Sequence, residues 1–146
     1  MVIRNKKAYF NYAISQTIEA GISLKGCEVK SIRQGHMTIH ESYVRIIKSE
    51  IYHINANILP YSHGNRQNPP QNRDRKLLLN RREINQLIAK TEQKGFFLVP
   101  TKVYFKHNRV KLEIGVGKPK KAHDKRATIK EREVKRQLSR GSKGHH

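Results

Sequence analysis

Thirty-one lysines and arginines against eleven aspartates and glutamates give this 146-residue chain a formal charge of +20 at neutral pH, and any fold it adopts must live with that repulsion. Self-repulsion on this scale opposes a compact state, so neutralisation from outside the chain is expected. Nucleic acid is the ordinary partner, because covering phosphates releases condensed counterions. An anionic membrane surface is the runner-up. However, no window of the sequence approaches the roughly 18 uninterrupted apolar residues of a spanning helix, and Met1 to Lys7 has basic groups with no hydrophobic stretch behind them, unlike a signal peptide. Cys27 is the only cysteine. It can form no internal disulfide and offers zinc one thiolate at most, which suits a reducing, cytoplasmic setting.

The chain divides into two materials. Residues 1–116 carry regular apolar positions and patterned segments, as expected of one folded domain. From Gly117 to His146 there are 11 basic and 3 acidic residues, with only Ala122, Ala127, Ile129, Val134 and Leu138 as spaced apolar groups. Such a stretch buries too little surface to offset its backbone entropy, so a tail disordered alone and helical against screening phosphates is expected.

The body reads mainly as strands. Tyr9, Phe10, Tyr12 and Ile14 predict a first strand reaching toward Glu19, and Gly21 to Gly26 a second short extended piece. Val29 and Ile32 suggest one helical turn over Glu28–Arg33. Segments 43–47 and 51–58 have hairpin spacing, with Tyr52, Ile54, Ala56 and Ile58 expected on one face and His53, Asn55 and Asn57 on the other. Val110, Leu112, Ile114 and Val116 alternate with polar residues, after a strand over Phe96–Phe105 and a tight connection at His107 and Asn108. One helix is clear: Asn80 caps it, Glu83 completes a capping box, Ile84, Leu87 and Ile88 make the apolar stripe, and Gly95 is placed to end it. The fold class predicted is mainly β, a small antiparallel OB-like barrel, closed or nearly so, with accessory helices.

No pattern marks a catalytic centre. His36 and His40 lack an acidic or thiol partner at metal-ligand spacing, Gly115 and Gly117 do not lie in a strand–turn–helix phosphate loop, and Cys27 reads as a small semi-buried thiol. No cofactor and no metal are expected. The basic cluster Arg73, Arg75, Lys76, Arg81 and Arg82 surrounds three leucines, Leu77 to Leu79, read as anchoring the segment while charges project toward phosphates. Tyr9, Tyr12, Tyr43 and Tyr61 are candidates to stack on bases, one or two of them actually free to do so.

Several separated stretches, in order, carry a resemblance: Glu19-Ala20-Gly21-Ile22, Glu28-Val29-Lys30-Ser31, Asp74 to Asn80, Asp124-Lys125-Arg126 and Ile129-Lys130-Glu131-Arg132. They resemble the SmpB family of bacterial SsrA-binding proteins from about Asn5 to Arg136. The resemblance implies an OB-like barrel that binds the tRNA-like domain of transfer-messenger RNA. It implies delivery of that RNA to stalled ribosomes for trans-translation, with the tail probing the empty messenger channel beside small-subunit ribosomal RNA. It places Glu19, Leu78 and Asn80 on the RNA side, and the expected RNA-binding set adds the basic residues Lys30, Arg73, Arg75 and Lys76. It assigns Lys120, Lys121, His123, Asp124, Lys125, Arg126, Ile129, Lys130 and Glu131 to the ribosome-binding tail. The chain departs from the family in reading Pro119-Lys120-Lys121 where members usually have Gly-Lys-Lys, which implies a stiffer hinge, and in carrying little helical sequence beyond Arg140.

The expected protein is therefore a monomeric, non-enzymatic RNA-binding factor without a membrane partner. A small basic RNA-processing enzyme on the same barrel, or a permanently bound structural ribosomal protein, are the alternatives.

Overall fold

A computed structural model describes residues 1–61, 68–122 and 125–126. Its elements run β1 (Val2–Arg4), α1 (Lys6–Asn11), β2 (Tyr12–Ile22), α2 (Gly26–Arg33), β3 (Met37–Thr38), β4 (Tyr43–Ile47), β5 (Glu50–Ile54), β6 (Asn57–Ile58), β7 (Arg75–Leu78), α3 (Arg81–Glu92), β8 (Phe97–Lys106) and β9 (Arg109–Pro119). Seven strands form one antiparallel sheet in the order β1-β8-β9-β2-β7-β5-β4, and β3 pairs with β6. The expected mainly-β, OB-like class holds, but the sheet is not closed. It curls until β4 packs against β8, with no hydrogen-bonded ladder between them.

The curl has a local cause. β2 carries a register shift between Ile14 and Gln16, and β8 one between Pro100 and Lys102. Bulges of this kind bend a strand and increase its twist. The strand between them, β9, passes these irregularities with Gly115 and Gly117. A Cβ on Gly115 would sit 2.8 Å from Thr101 Cγ2, and one on Gly117 2.4 Å from the Ala13 carbonyl oxygen. Gly117→Ala must therefore displace backbone, and is expected to cost about 1–3 kcal/mol of unfolding free energy in a urea titration. Gly26→Ala is the control: a Cβ there meets nothing within 4 Å, and alanine is the better helix former.

The core is filled by the inward faces of the central strands, including Leu77, Val103, Leu112, Ile114 and Val116, and is closed by Ile32 of α2 and Ile84 and Leu87 of α3. The alternation anticipated along β9 is present. So is the α3 cap: Asn80 Oδ1 accepts from the Glu83 N–H at 2.8 Å, and the Asn80 N–H donates to Glu83 Oε1 at 3.2 Å. The helix stops at Glu92, and Gly95 takes its left-handed conformation (φ 87°) in the connection to β8. The two-residue turns at Lys48-Ser49 and His107-Asn108 have φ between 49° and 63° at all four positions, the conformation that matches the twist of a tight hairpin.

Four expectations are corrected. Tyr9 and Phe10 lie in α1, not in a strand, and the strand that follows runs unbroken from Tyr12 to Ile22. Six residues show too little helical period to reveal α1. The helical turn at 28–33 is a full two-turn helix beginning at Gly26. The single face expected from Tyr52 to Ile58 is broken: Tyr52 and Ile54 share the half-exposed face of β5 opposite the buried Ile51 and His53, whereas Ala56 and Ile58 are buried. His53 tolerates burial because it is neutral, with Nε2 2.8 Å from Ser42 Oγ. Desolvation, reinforced by the nearby Arg75 charge, takes its pKa down to about 3. Asn55 (φ 63°) then breaks the alternation and returns Ala56 and Ile58 to the core. Finally, β9 continues three residues past Val116 to Pro119, so the patterned body does not end there.

Candidate nucleic-acid interface

Period-two geometry and strand register assemble the site. On the outward face of the sheet, Arg4, Lys102, Glu113 and Glu19 form one cross-strand row from β1 to β2. The adjacent row is Val2, Tyr104, Lys111, Gly21 and Leu78, spanning β1, β8, β9, β2 and β7. Gly21 leaves room for its neighbour, since a Cβ there would lie 3.2 Å from Leu78 Cβ. Beside them a cleft of about 330 Å³ has an apolar floor of Ile22, Leu24, Val29 and Val110 and a basic rim of Arg109 and Lys111. Apolar ground flanked by cations can receive a base or ribose with its phosphates on either side.

Glu19 is not free in this surface. The Tyr104 hydroxyl donates to its Oε1 at 2.5 Å, and the Lys106 ammonium stands 3.4 Å from Oε2. The tyrosine bond, with lesser help from Lys106 and Lys111 against a desolvation cost, holds the carboxyl below its usual range. Burial and the Glu19 carboxylate in turn push the Tyr104 phenol up. Glu19 is thus a fixed acceptor aimed out of the sheet, suited to base or ribose donors and not to phosphate. Tyr104 and Lys106 escaped the sequence reading, although Lys102, Tyr104 and Lys106 at spacing two would have placed them on one face.

Leu78 is 52% exposed, so the three leucines do not anchor together. Only Leu77 is fully buried, while Leu78 joins the outward face and Leu79 is half-buried. Lys76 shares the face of Leu78, 3.7 Å from Glu50. Asn80 is exposed beyond β7 with its side-chain oxygen committed to the helix cap. Lys30 lies apart on α2, its ammonium 5.5 Å from the Tyr61 ring centroid.

Arg75 does not project toward solvent. It is fully buried, and Glu28, buried beside it, is its counter-ion: Arg75 Nε donates to Glu28 Oε2 at 2.9 Å, and its remaining nitrogens donate to the carbonyls of Ala56 and Gln71. Arg73, half-buried, donates to the same carboxylate at 2.6 and 3.2 Å. Desolvation alone would raise the Glu28 pKa, but the donors Arg73, the Lys25 N–H and Arg75 outweigh it and hold the carboxyl low. The cluster expected to meet phosphate thus contains a buried ion triad that fastens α2 to β7.

Of the tail residues, the Lys120 N–H donates to the Asn11 carbonyl at 2.8 Å, the Lys125 N–H donates to the Lys121 carbonyl at 3.2 Å, and the Lys125 ammonium is 5.9 Å from the Phe10 ring centroid. Arg126 is exposed. His123, Asp124, Ile129, Lys130 and Glu131 lie outside the described residues. Among the tyrosines, Tyr9 and Tyr43 are nearly half exposed, whereas Tyr12 is tilted against Phe97 at 6.3 Å. Among the described residues no helix is long and apolar enough to cross a membrane.

Comparison with known proteins places the chain in a family. The SsrA-binding protein of Syntrophotalea carbinolica is 46% identical over 146 residues, covering 100% of this chain and 97% of the relative. That of Sphingopyxis alaskensis is 53% identical over 141 residues, covering 96% and 88%. A solved chain from a structure described as "tmRNA-SmpB: a journey to the center of the bacterial ribosome" superposes with a TM-score of 0.68 at 43% identity, covering 83% of this chain and 85% of that one. The family model for the SmpB protein matches residues 2–144, and the chain accordingly belongs to the SmpB family.

Proposed function

We propose that this protein binds the tRNA-like domain of transfer-messenger RNA through the outward sheet face and delivers it to stalled bacterial ribosomes, where the C-terminal segment probes the empty messenger channel. The observation that carries this reading is the meeting, on one face, of the fixed acceptor Glu19, the exposed Leu78 and the basic-rimmed cleft that Leu78 lines, in a chain whose full-length relatives are SsrA-binding proteins. Lys76 and Asn80 extend the surface toward α3. Arg75 acts behind it as a positioning residue, and Arg73 shares that task. The protein works in the cytoplasm as a monomeric, non-catalytic factor, and its tail begins after Lys121.

Asn80 separates capping from RNA contact. Asn80→Ala is expected to cost about 0.5–2 kcal/mol of stability. Asn80→Asp preserves a capping acceptor and should leave the unfolding midpoint in place, yet weaken RNA binding about tenfold by bringing a carboxylate toward phosphate. Titration of each variant against transfer-messenger RNA tests this. Parent-like affinity of Asn80→Asp would make Asn80 structural alone.

A further inference from the structure

At the β1 edge of the sheet, Arg4 and Lys102 are direct cross-strand partners. Like charges in that position destabilise a sheet, and Arg4 and Lys6 have no ion-pair partner among the described residues. The one carboxylate nearby, Glu113, is already engaged: its Oε2 accepts from the Thr101 hydroxyl at 2.6 Å, and its Oε1 stands 3.9 Å from the Lys102 ammonium. These groups, with Tyr9 of α1, line a pocket of about 330 Å³. Tyr9 borders this pocket beside Thr101 and stays 48% exposed, so its ring is accessible to a ligand. The pocket is separate from the Leu78 cleft, which lies across the sheet beyond Glu19 and Tyr104.

We propose that this pocket is a second RNA contact that takes one unpaired nucleotide, with its phosphodiester among Arg4, Lys6 and Lys102 and its base stacked on Tyr9. An anion there relieves the Arg4–Lys102 repulsion. Glu113 on the floor disfavours a dianionic free phosphate and tolerates the single charge of a diester, while offering an acceptor to a ribose hydroxyl or base amine. The nucleotide belongs to transfer-messenger RNA or to small-subunit ribosomal RNA, and the site rests on the RNA-binding reading above.

The test titrates the full-length protein, its Arg4→Gln/Lys102→Gln double variant and Tyr9→Leu against transfer-messenger RNA and, separately, against purified small ribosomal subunits over a range of salt. The double variant is expected to weaken one of the two RNAs about tenfold and to lower the log–log salt slope by roughly 0.7 to 0.9 for the lost phosphate. Its unfolding temperature should be equal to or above the parent's, because an unfavourable pair is gone. Tyr9→Leu should weaken the same RNA about 5- to 100-fold with the slope unchanged, as loss of one stacked base does, and Tyr9→Phe should restore binding. The RNA that loses affinity identifies the source. A double variant that binds both RNAs like the parent, with the same slopes, overturns the site while leaving the Leu78 surface intact. A parent that binds small subunits but not transfer-messenger RNA overturns the proposed function instead, and the small-subunit titration then decides the pocket alone. A parent that binds neither removes both.

Discussion

Replacing Glu28 with alanine is expected to remove about 3–5 kcal/mol of unfolding free energy, because it strands the fully buried Arg75 guanidinium without its counter-ion. Against the 5–15 kcal/mol that typically holds a small domain together, this is the most damaging single change the described fold suggests. Glu28→Gln keeps the shape but not the charge, and should fall between parent and alanine. The same triad sets an acid limit. Glu28 has a depressed folded pKa, so its contribution is present above the unfolded value of about 4.5 and is lost as pH falls through the folded one. His53 acts over a higher window. Its folded pKa of about 3 lies below the ordinary 6.5, so the unfolded chain takes up a proton below pH 6.5 that the folded chain refuses. Stability should therefore begin to fall below pH 6.5 and steepen below 4.5. Urea midpoints at pH 7, 5.5 and 4 check this, and the steepening below 4.5 should be blunted in Glu28→Ala.

The second large effect separates binding from action. Removing everything after Lys121 should leave a body with parent-like stability and affinity for transfer-messenger RNA, yet abolish peptide tagging in a reconstituted stalled-translation system. The sequence supplies the reason for the loss: the tail's basic residues have too few apolar neighbours to join a core and are suited to order against phosphates. The structure supplies the cutting point. Pro119 and Lys118 pair with Tyr12 and Ala13, the Lys120 N–H bonds to Asn11, and the Lys118 ammonium lies 4.7 Å from the Phe96 ring centroid. A cut after Val116 removes all of these and should lower the unfolding temperature as well, so it would confuse a folding defect with a tail defect. Normal tagging by the protein cut after Lys121 would refute the division of labour.

What could be read from the sequence follows the reach of each signal. The α3 cap and the β9 alternation are local patterns, and both stand in the fold as expected. Arg75 could not be told from Arg73 or Lys76, because its burial is decided by a carboxylate 47 residues away. Glu19 was legible only through family resemblance, since its tyrosine partner is 85 residues distant. Leu78 was hidden for another reason: three leucines in a row erase the period that separates the two faces of a strand. The β1 edge went unread because a three-residue strand carries almost no pattern of its own.

The sheet is stitched unevenly. β2, β9 and β8 share long ladders, whereas β2 joins β7 through only Gly21–Leu78 and Ile22–Leu77, and β7 joins β5 through only two pairs. Amide exchange should therefore divide the body into two cooperative units, a slow one of β8, β9 and β2 and a faster one of β7, β5 and β4 pinned by the Glu28 triad. The proposed RNA face straddles that seam, with Glu19 on the slow unit and Leu78 on the fast one. RNA lying across both would act as a splint, and the amides of β7 would gain the most protection when it binds.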